Sequence, residues 1–298
     1  MVHYIHHADI DKHKWDRAVE LSIGGMPYAL SWYLDVVSPG WDAIIDDDYQ
    51  IIMPVPVKRK YGLRYVIQPN FVQQLGIFSS QMTDSKTVQL FCRELISRFG
   101  YVILQFNYSN VSPGFTDLFP NYVLDLHRDY NELRSNFAEN HRRNIRKVLQ
   151  GRQLSVTTEA PPEQIEAFIH ANDSFHGRIS LLTQLSSIAC EKGAGEWQVA
   201  VNSSGEIVSA IFWLKYRYRH IYLYSLSSSE GKSLQASFFL VNDYIRRYAG
   251  TTVLIDFEGS CIPGIARFFA GFGSRVEYYP ILRYRNVWKL ILHSLVPA

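Results

Sequence analysis

The segment between residues 220 and 257 decides the fold of the second half of the chain. It reads HIYLYSL (220–226), then LQASFFLVNDYIRRY (234–248), then VLIDF (253–257). The apolar residues of the middle piece are spaced by four, three, four and three positions, which places them on one helical face: Leu234, Phe238, Val241, Ile245 and Tyr248. The outer pieces are short, apolar and rich in β-branched and aromatic residues. The segment therefore predicts a strand, a helix and a second strand.

Similar patterns extend this unit in both directions, over residues 153–290. The turn residues at 202–205 separate two apolar runs and favour a hairpin. The remaining predicted strands are Gln153–Thr158, Trp197–Val201, Ile207–Tyr216, Arg275–Tyr279 and Leu282–Leu290. Further helices are predicted after Pro161, over Leu181–Lys192 and over Ile262–Phe269. The predicted order is β-α-α-β-β-β-α-β-α-β-β.

The first half has a similar outline without a residue-level repeat. Helices are predicted over Lys12–Ser22, Ala29–Val36 and Ser85–Phe99, and strands over Asp42–Ile45, Ile51–Val57, Phe71–Phe78 and Tyr101–Phe106. One connecting helix is predicted over Tyr130–Arg152. We therefore expect an α/β (α+β) protein with two tandem domains, residues 1–127 and 153–298, joined by a basic segment at 128–152. Each domain should contain a mixed, mainly antiparallel sheet flanked by helices.

Composition excludes several classes of protein. The chain has 298 residues, of which 47% are hydrophobic and 19% charged, as in globular proteins with a substantial core. The net charge of +2 is too small for the whole surface to attract a polyanion, but residues 128–152 carry seven basic and three acidic residues. The three cysteines form no disulfide or zinc pattern. Without an apolar leader or membrane-spanning run, we expect a cytoplasmic location and no DNA partner.

Several stretches resemble those of a known family. They are NHRRNIRKVLQG (140–151), YLYS (222–225), DFEGS (256–260), GIARF (264–268), SWYLDVVSPGW (31–41) and QPNFVQQLG (68–76). Together with the element order of the second half, they resemble the GNAT acyltransferase superfamily and its FemAB-like branch, whose members carry two such domains in tandem. The resemblance implies transfer of an acyl or aminoacyl group to an amine, from an acyl-CoA thioester or from aminoacyl-tRNA as co-substrate. It implies no permanently bound cofactor.

The loop before the helix predicted at 234–248 is the predicted binding site of the acyl donor. Free N–H groups and the positive end of a helix dipole favour a phosphate there. The predicted donor-binding residues are Leu226, Ser227, Ser228, Glu230, Gly231, Lys232 and Ser233, with N–H groups near 226–228 facing a developing oxyanion. Leu226 stands where a Walker A loop requires glycine, which excludes a P-loop kinase. The alternative is a tight turn in which Ser233 caps the helix.

The predicted catalytic residues are Asp256, Glu258 and Tyr224. Asp256 and Glu258 are two residues apart at the end of a strand, so their side chains should point to one side of the sheet. Either carboxylate could remove the proton of an ammonium group before attack. Alternatively, one caps the following helix and the other pairs with Arg267. Tyr224, expected on the same face as Tyr222, could protonate the leaving group or simply pack in the core.

Basic and histidine side chains are the predicted acceptor-binding groups. Arg142, Arg146 and Lys147 are expected on the helical face opposite Ile145, where they could contact phosphates of a tRNA or an anionic precursor, or form an ordinary solvated face. His176 could line the acceptor cleft. No histidine spacing matches a metal site, so no metal is predicted.

Two functions follow from these observations. The first is an N-acyltransferase that acts on a small-molecule or peptide amine, such as a cell-envelope precursor, with the strands containing Tyr224 and Asp256 splayed apart to admit the donor. The second is a non-catalytic module on the same fold that binds a nucleotide or peptidoglycan precursor.

Overall fold

The computed structural model of the chain describes residues 2–110, 115, 117–173, 178–259 and 261–286. It divides into two compact units. The first unit comprises Met1–Phe119 with Tyr278–Ala298, and the second comprises Pro120–Glu277. Residues 128–152 thus belong to the second unit along with the strand that precedes them.

The first unit contains three helices and two groups of strands among its described residues. The helices are α1 (Lys12–Leu21), α2 (Ser31–Val37) and α3 (Ser85–Arg98). The strands are β1 (Val2–Ile5), β2 (Asp42–Asp46), β3 (Ile51–Val55), β4 (Val57–Lys60), β5 (Leu63–Ile67), β6 (Phe78–Ser79) and β7 (Tyr101–Gln105). The first sheet has the order β1-β2-β3-β6, and β4-β5-β7 form the second group.

Local sequence explains where the helices of this unit begin. Asp11 accepts hydrogen bonds from two N–H groups in the first turn of α1, and Asp84 accepts one from Thr87 at the start of α3. Trp15 of α1 and Trp41 are fully buried, and their ring centroids lie 4.7 Å apart. These aromatic contacts anchor the helix to the core of the first unit.

The second unit is built around one six-stranded sheet. Its strands are β8 (Leu118–Asp125), β9 (Leu154–Thr157), β10 (Gly195–Asn202), β11 (Ile207–Tyr216), β12 (Arg219–Ser227) and β13 (Leu254–Asp256), in the order β8-β13-β12-β11-β10-β9. All neighbours are antiparallel except β12 and β13, which are parallel. The last strand of the chain, β14 (Arg275–Arg285), pairs through residues 281–285 with β7 of the first unit's group.

Helices cover the sheet of the second unit. They are α4 (Tyr130–Ser135), α5 (Glu139–Gly151), α6 (Pro162–Asn172), α7 (Ile179–Glu191), α8 (Ser229–Ser233), α9 (Ala236–Tyr248) and α10 (Pro263–Ala270). The apolar face of α9 is buried, and its Tyr244 stacks on Trp213 of β11 with ring centroids 3.7 Å apart. Burial of this face against the sheet stabilises the crossover between β12 and β13.

The predicted fold class and the order of elements in the second half are confirmed, with corrections. The predicted helix over Tyr130–Arg152 is two helices, because Phe137 is buried and the Ala138 N–H donates to the Gly271 carbonyl instead of continuing a helix. The two predicted final strands are a single strand as far as Arg285; residues 287–290 of the prediction lie outside the described residues. Leu234 precedes α9, because Gln235 adopts a left-handed conformation with φ of 60°.

Candidate donor site

Strands β12 and β13 part at the centre of the second unit. They pair only over three positions, Arg219–Ile221 of β12 with Leu254–Asp256 of β13. Strand β13 ends there, and the next N–H group, that of Phe257, donates to the Tyr122 carbonyl of β8. Among the described residues, β12 therefore runs on to Ser227 with no strand on its β13 side. The predicted splay between these two strands is confirmed.

A β-bulge decides which way the side chains of β12 point. Phe212 of β11 lies opposite Tyr224, but the next residue, Trp213, lies opposite Tyr222, so Leu223 is an extra residue in the ladder. Adjacent residues of β11 point to opposite faces, and so do their partners. The prediction that Tyr222 and Tyr224 share a face is wrong for this reason.

A cavity of about 320 Å³ lies beside the unpaired end of β12. Its walls come from the end of β12, the beginning of α9 and the helix α10, through residues that include Tyr222, Ser225, Gln235, Phe238, Gly264 and Phe268. Burial raises the pKa of the Tyr222 phenol to about 12, so this tyrosine stays protonated at neutral pH. We name this space the donor cavity. Its lining is mainly apolar.

The predicted phosphate loop is largely occupied with its own hydrogen bonds. The Ser228 N–H donates to the Val208 carbonyl at 3.0 Å, so it cannot face an oxyanion as predicted. The Ser228 hydroxyl accepts from the Gly231 N–H and thereby caps α8. The alternative prediction, in which Ser233 caps the following long helix, is wrong, because the N-cap of α9 is Gln235 and no side chain caps that helix. The Ser233 hydroxyl instead donates to the Glu230 carbonyl. Of the predicted loop residues, Gly231 and Lys232 line the donor cavity.

The other residues of the predicted loop serve the sheet and the turn. Leu226 and Ser227 pair with Ala210 and Ser209 of β11. The Ser227 hydroxyl lies 3.0 Å from that of Ser237 at the start of α9. Glu230 accepts a hydrogen bond from the Asn202 side chain at 3.1 Å. These contacts fix the position of the loop relative to the sheet.

The two predicted carboxylates do not converge. Asp256 is fully buried, and its Oδ2 accepts a 2.6 Å hydrogen bond from Arg219, which also bonds Glu277 at 2.8 Å. Its Oδ1 accepts from the Glu258 N–H. Glu258 itself has left the strand and has φ of 60°, so the expected alternation no longer applies. Neither Asp256 nor Glu258 is among the described residues that line the donor cavity.

Tyr224 points away from the donor cavity, toward α6. Its hydroxyl donates a 2.8 Å hydrogen bond to Asp173, the residue that follows α6, and its ring centroid lies 6.2 Å from that of Trp197. Burial and the Asp173 carboxylate both raise the pKa of Tyr224, which makes this phenol a weak acid. Asp173 is a candidate that the sequence analysis missed, because its closeness to Tyr224 depends on the bulge.

The basic residues of α5 lie on its solvent side. Arg143, Arg146 and Lys147 are exposed, and Arg142 donates to the Ser135 carbonyl at 2.9 Å. The structure thus places Arg142, Arg146 and Lys147 on one helix. The prediction that all three lie opposite Ile145 is wrong for Arg142, which is half-buried and lies three residues before Ile145, on the same side of the helix. The predicted acceptor residue His176 lies outside the described residues.

His141 connects this basic helix to the wall of the donor cavity. It is buried, its Nε2 lies 2.9 Å from the Phe268 carbonyl, and its ring contacts Phe238 with centroids 4.8 Å apart. A Cβ at Gly271 would lie 1.9 Å from the imidazole, so only glycine fits at that position. Burial lowers the pKa of His141, which keeps the ring neutral. The sequence showed His141 within a basic run but gave no signal of its burial.

In the second unit, the parallel strands β12 and β13 part beside a cavity, next to the helices that connect them. No protein-family model matches the chain, and no curated protein matches its sequence. Solved structures do match. The crystal structure of FemX has a TM-score of 0.67 at 13% identity, with 99% of each chain covered. The chain therefore has the fold of FemX and of a solved tandem GNAT protein.

Two other solved structures support the same fold. A tandem GNAT protein from the clavulanic acid biosynthesis pathway has a TM-score of 0.53 at 13% identity, covering 95% of this chain and 98% of that one. The structure of L-PGS from Bacillus licheniformis also has a TM-score of 0.53 at 13% identity, covering 96% and 94%. In the part of the chain that the structure describes, no helix has the length and apolar character needed to cross a membrane.

Proposed function

We propose that the protein is an acyltransferase and that its second unit transfers an acyl or aminoacyl group from a donor to an acceptor amine. The observation that carries this proposal is the unpaired end of β12 beside the donor cavity. A carbonyl placed there can accept hydrogen bonds from strand N–H groups that no neighbouring strand occupies. Groups of this kind contribute about 3 to 4 kcal/mol each when they face a developing oxyanion.

The proposed reaction needs no covalent enzyme intermediate. The acceptor ammonium loses a proton, and its nitrogen attacks the donor carbonyl carbon to form the C–N bond. The C–S bond of a thioester, or the C–O bond of an aminoacyl ester, then breaks, and the leaving thiolate or alkoxide takes the second amine proton. The apolar wall formed by Phe238, Phe268 and Phe269 excludes water from the carbonyl.

The first test is binding of a thioester donor, with acetyl-CoA and CoA as probes. At 100 times its Kd, a ligand adds about 2.7 kcal/mol of stability, which raises the unfolding midpoint measurably. The variant Gly264→Phe should abolish this shift, because no atom lies within 4 Å of a Cβ at Gly264 and the new ring can enter the cavity. Gly151→Phe is the matched control, since Gly151 lies at the exposed end of α5.

A shift that is equally large in Gly264→Phe would place the thioester elsewhere and contradict the proposed donor site. An absent shift in the unchanged protein would favour aminoacyl-tRNA as the donor. In that case Arg146→Ala should weaken tRNA binding and reduce its salt slope by about 1, because each phosphate contact releases counterions. Glu163→Gln, an exposed change on α6, should leave the slope unaltered.

The rival proposal is a binding module without catalysis on the same fold. The hydrogen bonds within the loop at 228–233 favour it, because they reduce the number of N–H groups that a phosphate can use. Incubation with acetyl-CoA or aminoacyl-tRNA and a panel of amines distinguishes the two. Amide products detected by mass spectrometry support the transferase, whereas donor binding with no amide from any amine supports the rival.

A further inference from the structure

Four neighbouring strands of the first unit carry basic and aromatic side chains in one row. The strands are β4, β5, β7 and the first-unit part of β14, in that order. Lys58 of β4 lies opposite Tyr65 of β5, and Arg285 of β14 lies opposite Tyr101 of β7. The rings of the two tyrosines, on neighbouring parallel strands, have centroids 6.4 Å apart. We name these four residues the basic–aromatic row.

The basic–aromatic row points away from the core of the first unit. Val66 and Val102, the residues that follow the two tyrosines, are fully buried. Because successive side chains of a strand point to opposite faces, the row lies on the other face of the sheet. Its members are partly exposed, and Arg285 is the most exposed of them. Neighbouring strands are about 4.8 Å apart, so the row extends over about 14 Å.

The charges on this face are mainly positive. Lys58 and Arg285, at the two ends of the row, form no ion pair within the described part of the chain. Arg283, which is on the same face, does pair with Asp117 at 3.0 Å. Residues 49–83, which include β4 and β5, contain no acidic residue. Burial lowers the pKa of the Lys58 ammonium group, an effect that an adjacent anion would oppose. The complementary partner is therefore a polyanion.

The two tyrosine rings add a surface for planar bases. Their planes are 80° apart, so a base that stacks on one ring meets the other at right angles. Both arrangements are favourable between aromatic groups, and stacking of a base on a tyrosine tolerates any sequence. Only a single strand leaves its bases free for such stacking. Gln105, on the same face of β7, carries an amide that can hydrogen-bond a ribose 2′-hydroxyl, which favours RNA over DNA.

We propose that the basic–aromatic row is a binding surface for single-stranded RNA. A base stacks on the tyrosine pair in the middle of the row, and the phosphates on either side of it contact Lys58 and Arg285. This inference does not rest on the proposed function, because all four residues belong to the first unit and none of them lines the donor cavity.

Fluorescence anisotropy with a labelled RNA of about ten nucleotides, without self-complementarity, tests the inference. The single strand should bind more tightly than the same RNA annealed to its complement, because paired bases cannot stack on the tyrosines. The DNA of the same sequence should bind more weakly than the RNA. The logarithm of the affinity should fall linearly with the logarithm of the salt concentration.

Charge variants locate the phosphates. Arg285→Gln and Lys58→Gln should each reduce the salt slope by about 0.7, because each removes one phosphate contact with a single strand. Arg285→Lys keeps the charge and should keep the slope. Arg59→Gln is the matched control: Arg59 is an exposed basic residue of the same strand as Lys58, but it lies opposite Arg64 on the other face of the sheet. Its loss should leave the slope unaltered.

Ring variants locate the base. Tyr65→Leu and Tyr101→Leu should each weaken binding about fivefold or more, because an aliphatic side chain replaces a stacking surface. Tyr65→Phe keeps the ring and should bind more tightly than Tyr65→Leu. Urea denaturation of each variant shows whether it is folded. If the leucine variants unfold, the slopes of Arg285→Gln and Arg59→Gln still decide the question.

Several results would overturn the inference. They are no binding of the single-stranded RNA at about 50 mM salt, equal or tighter binding of the duplex or the DNA, and a slope that changes as much in Arg59→Gln as in Arg285→Gln. Equal affinities of folded Tyr65→Leu and Tyr65→Phe would also overturn it. Arg146→Ala, the second-unit variant that tests tRNA as a donor, should bind this RNA as the unchanged protein does. The failure of either proposal can therefore be told from the failure of the other.

Discussion

Each unit contains one parallel pair of strands joined by a crossover helix, and the two pairs end differently. In the first unit β5 and β7 are joined through α3, and the chain after β5 stays against β7: Gln68 N–H donates to the Ile103 carbonyl and Leu75 N–H to the Gln105 carbonyl. In the second unit the chain after β13 turns away from β12. Beyond its paired residues, the first pair stays hydrogen-bonded, and we call it the closed pair. The second pair separates, and we call it the open pair.

Buried amide side chains close the pair in the first unit. Asn107 Nδ2 donates to the carbonyls of Leu75 and Ile77, at 3.0 and 2.8 Å, and Asn110 accepts from the Ile77 N–H. Gln74 is fully buried and accepts from the Tyr108 N–H. The backbone groups that a ligand would need are therefore already satisfied. The comparison shows why we assign donor binding to the second unit.

The largest predicted effect concerns the point where the open pair separates. Asp256→Ala leaves the guanidinium of Arg219, which is 4% exposed, with one of its two carboxylate partners. Because removing one partner of a buried ion pair is strongly unfavourable, the free energy of unfolding should fall by about 3 to 5 kcal/mol. Urea denaturation measures the loss, and hydrogen exchange should locate it at β12 and β13.

A milder variant separates this structural role from catalysis. Asp256→Asn keeps the shape and one acceptor, so it should lose less stability than Asp256→Ala. A fully stable Asp256→Asn protein that binds donor but has lost all turnover would contradict the structural role and restore Asp256 as the base.

The second prediction concerns how the free energy of unfolding depends on pH, because the two units differ in the number of buried histidines that the structure describes. Both histidines that are buried among the described residues, His141 and His220, lie in the second unit. Burial lowers the pKa of His220 to about 4 from an ordinary value of 6.5. The unfolded chain therefore binds the proton first, and the stability present above pH 6.5 is lost as the pH falls toward 4. The loss attributable to His220 is at most about 3 kcal/mol.

Urea denaturation at a series of pH values between 7 and 4 measures this dependence. His220→Gln should flatten the curve over that interval, with His13→Gln, an exposed change in the first unit, as the control. If the free energy of unfolding depended on pH with the same slope in all three proteins, His220 would accept its proton as readily in the folded protein as in the unfolded chain.

The third prediction concerns a variant that weakens the closed pair of the first unit. Asn107→Ala removes both hydrogen bonds to the carbonyls of Leu75 and Ile77, which remain buried without this partner. The stability of the protein should fall by about 1 to 3 kcal/mol, with faster hydrogen exchange at 68–76. The acetyl-CoA midpoint shift should be unchanged. Loss of that shift would mean that the first unit takes part in donor binding.

The smallest predicted effect tests the loop beside the open pair. Ser228→Ala removes the cap of α8 and should reduce stability by about 1 kcal/mol. Because Ser228 bonds Gly231 and Val208 and is absent from the lining of the donor cavity, donor affinity should stay the same. Ser233→Ala is the comparison. A large drop in affinity for acetyl-CoA in Ser228→Ala would instead show that this hydroxyl contacts the donor.

The spacing of apolar residues in the sequence predicted those helices and strands that bury one face. The spacing along α9 and α3, and the apolar runs of β11 and β12, give the observed elements within a few residues. Strands without such a pattern were missed: β1, β4, β5 and β8 were not predicted as strands. Most of the predicted strand at 71–78 is irregular, with Leu75 forming a single bridge to Phe106. There, buried amides at Gln73 and Gln74 replace the ladder, which no period of two can reveal.

The gap between β12 and β13 was predicted, but the partners of the side chains around it were not. The loop before α9 and the end of β13 do border the open gap, since strand ends follow from the order of elements. The partners of Asp256 and Tyr224 could not be predicted, because Arg219 and Asp173 are 37 and 51 residues away in sequence. Such contacts depend on the register of the sheet and on one extra residue in β12.

That extra residue, Leu223, gives the strand an odd count between its two tyrosines. Because of this extra residue, Tyr224 and the residues of β12 after it face the side of the sheet opposite to the one they would face if the same sequence paired without a bulge. Deleting Leu223 would remove the bulge and make Tyr222 and Tyr224 neighbours, still opposite Trp213 and Phe212, so the phenol of Tyr224 would keep its side of the sheet and its Asp173 partner. The placement of the two phenols on opposite faces thus depends on the bulge, because the same sequence paired in a regular ladder would turn both to one face.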